Sequence, residues 1–186
     1  MNKSRNLFSR DEMLKMNIDM LNKRGVQISE IAEIAFRQQS KWNDKISYQE
    51  CLESVEKILS LRDVFHILQL GAEIDRLTEE KAFQGPIQSI LESDLGMFGI
   101  DELFGIELAG LYGTIGKTNF GDIDVNKPGI VDKLNSDGKG DKEACHTFLD
   151  DIVGAVAAAA STRVAQIENE IEARKDPSII EEPQLF

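Results

Sequence analysis

The chain has 186 residues, and its 33 Asp and Glu against 21 Lys and Arg give a formal net charge of −12, which opposes general attraction to nucleic acid or anionic membrane surface. Its length suits one sizeable core, so a single domain with frayed ends is expected. The two cysteines, Cys51 and Cys145, and an N-terminus MNKSRNLFSRDEML without an apolar run point to a reduced, cytoplasmic protein.

Only four prolines occur, strand-like alternation never runs for long, and apolar residues recur at three and four, so the chain reads as all-α. A first helix is expected over Arg10 to Lys23, stopping at Gly25. A second starts from Ser29 as its cap, with Ile31, Ile34 and Ala35 as its apolar stripe. A third covers Ser47 to Leu59 and a fourth Arg62 to Lys81, with Gly85-Pro86 as the break before a short helix at Ile87 to Glu92.

A sixth helix is expected from Asp101 to Ile115. Leu103, Phe104, Ile106, Leu108, Leu111 and Tyr112 leave it little solvated surface, so it should be buried on several sides. The stretch 116-GKTNFGDIDVNKPGIVDKLNSDGKGDK-142 concentrates Gly, Asn, Asp and Pro and reads as a long polar loop holding one short helix, Pro128 to Leu134. A last helix, Lys142 to Arg174, precedes a tail expected to be mobile.

Within that last helix, Leu149, Ile152, Val153, Val156 and Ala160 form one stripe, yet from Ile152 to Ala160 the opposite side offers only Gly154 and alanines. No solvated face is left, and the run is about half the ~20 residues of a spanning helix. The expectation is a multihelical array packed around this Ala-rich helix, with small residues letting neighbours approach. Asp150 and Asp151 then stand at the edge of a core, where carboxylates need a cation or a metal. A wet helix end, with both bonded to His146 or Thr147, is the plainer alternative.

Several look-alikes fail on their own requirements. The P-loop resemblance of GTIGKT lacks its leading glycine, with Leu111 in that place. Asp122, Asp124 and Asn126 suggest an EF-hand loop, but Lys127 replaces the glycine and Lys133 the glutamate. A DID phosphatase nucleophile would follow an apolar strand, and KTNFG precedes this one. His146 and Cys145, a turn before the Asp pair, could join a metal set or simply pack. Asp101 could simply cap its helix, whereas Glu102 borders Leu103 and Phe104. Lys127, held by Pro128 in 124-DVNKPG-129, is placed to meet a phosphate at a helix N-terminus.

The segments 99-GIDELFG-105, 121-GDIDVNKPGIVDKL-134 and 147-TFLDDIVGAVAAA-159 resemble, in order, the three acidic motifs of the phosphatidylglycerophosphatase A family and of its soluble branch. The resemblance places the family's acidic residues at Asp101, Glu102, Asp124, Asp150 and Asp151 and its lysine at Lys127. It implies a Mg²⁺-dependent phosphatase acting on phosphatidylglycerophosphate, or on a related phospholipid phosphate or small phosphomonoester. In that reading Glu102, Asp150, Asp151 and Asp101 hold Mg²⁺, Lys127 and Asn119 bind substrate, and Asp124 orients or deprotonates water.

It also divides the chain into an N-terminal helical portion, 1–95, a catalytic portion, 96–174, and the tail, 175–186. The membrane members' PGT-type loop is absent and the helices are too polar for a bilayer, so any lipid would be met by peripheral contact. A homo-oligomer is the expected assembly. The rival reading is a non-catalytic helical protein that keeps the acidic cluster as a metal or ligand site and acts by assembly or regulation.

Overall fold

The computed structural model describes residues 8–94, 99–137 and 144–175, which form nine α-helices and no strand. In chain order they are α1 (Arg10–Lys23), α2 (Ile28–Gln39), α3 (Tyr48–Leu59), α4 (Arg62–Glu79), α5 (Pro86–Glu92), α6 (Ile100–Gly110), α7 (Gly113–Asn126), α8 (Ile130–Asp137) and α9 (Leu149–Lys175). The expected all-α array around one central helix is present: α2, α3, α4, α6, α7 and α8 all pack on α9. The expected tail beyond Lys175 lies outside the described residues.

Local signals set most boundaries. Ser9 and Ser47 each accept from the amide three residues on, and Glu12 and Glu50 reach back to the cap amides, so α1 and α3 both open with a capping box. Pro86 enters at the first turn of α5, where its missing N–H costs nothing. Ser29 does not cap α2: the helix begins at Ile28, directly after Gln27's extended backbone, and Glu30 binds the Gln27 amide at 2.9 Å.

From Leu149 to Ser161 every residue of α9 is buried, as the absence of a polar face requires. Its alanines admit close neighbours, and polar groups that fall inside find partners. Ser54 Oγ donates to the Ala160 carbonyl at 3.0 Å, and Gln39 Nε2 donates to Ser161 Oγ at 2.8 Å.

Several expectations change. The segment 113–126 is a helix, not a loop. Glycines on it and on α6 mark close approach: a Cβ at Gly116 would lie 2.1 Å from the Ala109 carbonyl oxygen, and one at Gly105 of α6 would lie 2.4 Å from the Phe120 ring. A helix therefore runs through a sequence whose composition suggests a turn, because tertiary packing outweighs propensity. The sixth helix ends at Gly110, and Gly113 at φ +77° turns the chain back so that α6 and α7 form an antiparallel pair. Nor is α6 buried on several sides, since Ile100 and Leu103 are exposed, as is Leu111 just past its end. Finally, α8 begins at Ile130, and α9 at Leu149 rather than Lys142, which lies outside the described residues. Residues 144–148 form a non-helical strap before α9.

Candidate functional site

The α6–α7 hairpin and the first turn of α9 meet at one end of the bundle. Gly105 faces Phe120, Gly116 faces Ala109 and Gly110 faces Lys117, and the same antiparallel pairing continued toward the start of α6 brings Asp101 level with Asp124. Gly154 lies against Ile123, a Cβ there being 3.2 Å from the Ile123 side chain, so α7 is pressed onto α9 close to the Asp pair.

Asp150 and Asp151 are only 5% exposed, which excludes the wet helix end. Neither binds His146 or Thr147 through its side chain; Asp150 Oδ1 accepts instead from the Asp151 amide at 2.9 Å. The required cation is Lys127. This residue caps α7 in the left-handed region, φ 41° and ψ 57°, with its amide donating to the Ile123 carbonyl at 2.8 Å. Its ammonium then reaches Asp124 Oδ1 at 2.7 Å, Asp150 Oδ2 at 3.2 Å and Asp151 Oδ1 at 3.5 Å. The sequence places Lys127 in a free polar loop at a helix N-terminus; the fold instead makes it a helix C-cap bonded to three carboxylates. Pro128 follows because the helix cannot continue through it.

The electrostatics show an unbalanced cluster. Burial raises the Asp151 carboxyl well above the usual carboxylate range, Asp150 beside it raises it further, and Lys127 offsets part of this. Asp150 is also raised, by burial first, against the pull of Lys127. Burial alone would lower the Lys127 ammonium, but Asp150, the hydrogen bond to Asp124 and the charge of Asp151 outweigh it, and the net shift is upward. Asp101 is buried, raised mainly by that burial, and its Oδ1 accepts from the Glu102 amide at 2.9 Å. One ammonium thus faces Asp124, Asp150 and Asp151, with Asp101 adding its charge at Asp151, a surplus of negative charge that favours a further cation.

The remaining expected residues are spread differently. Glu102 is exposed on the first turn of α6, beside Asp101. Asn119 turns its amide to Thr162 Oγ1 at 3.0 Å, eight residues before Lys127 and so ~12 Å away along the helix axis. It is not brought to the carboxylates. His146 is buried and held near Arg24, its pKa lowered to about 4 by burial and then by that guanidinium. Cys145 is a buried thiol within hydrogen-bonding reach of Asp75 and Thr147. Neither joins the acidic set.

Among the described residues no three His, Cys, Asp or Glu side chains converge on one ion position. The donor chemistry nevertheless suits a hard dication. Mg²⁺ is commonly held by one or two carboxylates with waters and substrate phosphate, and does not need a closed protein cage.

Two acidic residues of this region escape a reading of sequence. Asp94, at φ 45°, raises the pKa of both Asp150 and Asp101 and so belongs to the same field. Asp75, in the middle of α4, accepts from the Phe148 and Leu149 amides. Its only sequence signal is a carboxylate on the inward face of an amphipathic helix.

Residues 27–166 match the family described as phosphatidylglycerophosphatase A. The chain is 41% identical over 165 residues to the uncharacterized protein YpjQ of Bacillus subtilis (strain 168), covering 89% of this chain and 91% of that protein. It is 43% identical over 145 residues to the uncharacterized protein YutG of the same organism, covering 78% and 86%. Its fold is similar to the crystal structure of the low temperature requirement C protein from Listeria monocytogenes, with a TM-score of 0.80, 39% identity, and 84% and 97% of the two chains covered.

Proposed function

The chain belongs to the phosphatidylglycerophosphatase A family, and on that premise we propose that it hydrolyses a phosphate monoester, with phosphatidylglycerophosphate or a related phospholipid phosphate as its substrate and Mg²⁺ as its cofactor. The observation that carries this reading is the Lys127 ammonium held 2.7 to 3.5 Å from Asp124, three residues away on α7, and from Asp150 and Asp151 on α9.

The Lys127 side chain keeps 24% of its surface exposed, so its ammonium can exchange a carboxylate partner for a phosphoryl oxygen. As a compact point charge with three donors it suits that role. Asp124, the most exposed of the three carboxylates bonded to it, would orient water and accept its proton. The water oxygen forms the new P–O bond while the ester P–O bond breaks. The alcohol takes up a proton and inorganic phosphate leaves.

Asp150, Asp151 and Asp101, with Glu102 beside them, would hold Mg²⁺. When bound, Mg²⁺ supplies neutralisation of phosphoryl charge. No helix among the described residues is long and apolar enough to cross a membrane. A lipid phosphate would therefore be met at the bilayer surface.

The test is release of inorganic phosphate from phosphatidylglycerophosphate vesicles and from soluble phosphomonoesters, with and without Mg²⁺. Turnover that requires Mg²⁺ is expected. A chain that binds Mg²⁺ yet turns over none of these substrates is instead a non-catalytic binding protein.

A further inference from the structure

The first turn of α9 carries Asp150 and Asp151, and what fixes that turn lies in a different helix. The residue before α9 is Phe148, which has no side-chain oxygen to cap the exposed amides of a helix start. Asp75 in α4 supplies the cap from across the core. Its Oδ1 accepts from the Phe148 amide at 3.1 Å and its Oδ2 from the Leu149 amide at 3.0 Å. It is wholly buried, at 0% exposed.

Two oxygens on two successive amides fix both the axial position of the helix start and its rotation; one acceptor would leave the rotation free. The rotation matters because each residue of a helix turns by ~100°, so a slip of one residue swings both carboxylates off Lys127.

The chain leading into α9 is tied to the same support. Glu79 Oε1 accepts from the Cys145 amide at 2.8 Å, Arg24 donates to the Cys145 carbonyl, and Thr147 Oγ1 donates to the Leu91 carbonyl at 2.8 Å. These contacts hold the strap, three to five residues before the acidic pair. Asp75 instead accepts from the amide of Leu149, the first residue of the helix and one before Asp150.

We propose that Asp75 is a positioning residue for the acidic site: it acts through the start of α9 to set Asp150 and Asp151 against Lys127, and touches neither substrate nor the reacting atoms. The inference rests on the reading that this cluster serves phosphate-monoester hydrolysis.

The experiment compares Asp75→Asn with Glu79→Gln, which loosens the strap without touching α9, in the full chain well below both melting temperatures. Two readouts are taken: kcat and KM for p-nitrophenyl phosphate and phosphatidylglycerophosphate with Mg²⁺, and the NMR resonance of the Lys127 side-chain nitrogen, which reports its ion pairs without any turnover. Asp75→Asn should lower kcat by about 10- to 100-fold, the scale of a ~1 Å misplacement, leave KM within about twofold, and shift the Lys127 resonance. It should also be non-additive with Asp150→Asn, because the two act through one another. Glu79→Gln should lower the melting temperature while leaving kcat and the Lys127 resonance unchanged.

A folded Asp75→Asn protein with wild-type kcat and an unmoved Lys127 resonance overturns the proposal. If Asp75→Asn does not fold, Asp75→Glu, which keeps the charge and both oxygens but displaces them by one methylene, is judged by the same two readouts. Absence of wild-type turnover would count against the phosphatase reading alone, and the resonance comparison would still decide the positioning role.

Discussion

The Lys127 ammonium lies 3.2 Å from Asp150 Oδ2, joining the C-terminal cap of α7 to the first turn of α9. This pair ties a residue whose backbone ends one helix to one whose carboxylate sits in the core. Lys127 is therefore a structural partner as well as the proposed phosphate ligand.

Lys127→Ala should for that reason cost both stability and turnover. Breaking a buried pair leaves its carboxylates uncompensated, a loss of about 3–5 kcal/mol for full burial and less here, since the lysine is partly exposed. Turnover on a phosphomonoester should fall by about 100-fold or more, the scale of one lost charge-stabilising donor. Lys127→Arg should restore stability better than turnover, because a planar fork does not reproduce a compact ammonium. Urea unfolding and initial rates on the same preparations check both; full stability in Lys127→Ala would mean that the ion pairs contribute nothing.

Asp151→Asn should act in the opposite sense on the metal-free protein. The Asp151 carboxyl is raised in the folded state, so the folded chain binds its proton more tightly than the unfolded one. Its contribution to stability is present below the unfolded value of about 3.9 and is lost as pH rises through the folded value. Relative to wild type, the variant should be as stable or more so near pH 8, with the advantage vanishing toward pH 4. Mg²⁺ affinity, followed by calorimetry, should fall. Destabilisation at pH 8 with metal affinity intact would remove Asp151 from the proposed Mg²⁺ site.

His146 gives an acid-side signature. Its folded pKa, lowered to about 4 by burial and by Arg24, lies below the unfolded value of about 6.5. The stability that comes from keeping it neutral is complete above about pH 6.5 and is lost as pH falls toward 4. Replacing it with glutamine should flatten that part of the profile, with a melting-temperature difference from wild type that changes by several degrees between pH 7 and pH 4.5. A constant difference across that range would mean that the imidazole titrates normally.

Two glycines of α7 separate a packed helix from a polar loop. At Gly116 an added Cβ would meet the Ala109 carbonyl at 2.1 Å, so Gly116→Ala should destabilise by about 1–3 kcal/mol or more. At Gly121 nothing lies within 4 Å, so Gly121→Ala should stabilise by about 0.5–1 kcal/mol through helix propensity alone. Equal, small effects at both positions in thermal unfolding would contradict helix formation over 113–126.

Periodicity in the sequence determines the all-α class and the central place of α9, because a run from Ile152 to Ala160 without any polar side chain can only be covered by neighbours. It also determines that Asp150 and Asp151 need a cation. Residues 113–126 were not legible as a helix, since glycine lowers local propensity wherever it stands, and the use of Gly116 for close packing depends on the Ala109 carbonyl in the folded chain. The identity of the cation at Asp150 as Lys127, the turning of Asn119 toward Thr162, and the capping of α9 by Asp75 were decided by tertiary structure alone. Each joins groups on different helices, and a hydrogen bond or ion pair depends on distance in space, which the spacing of residues along a single chain does not encode.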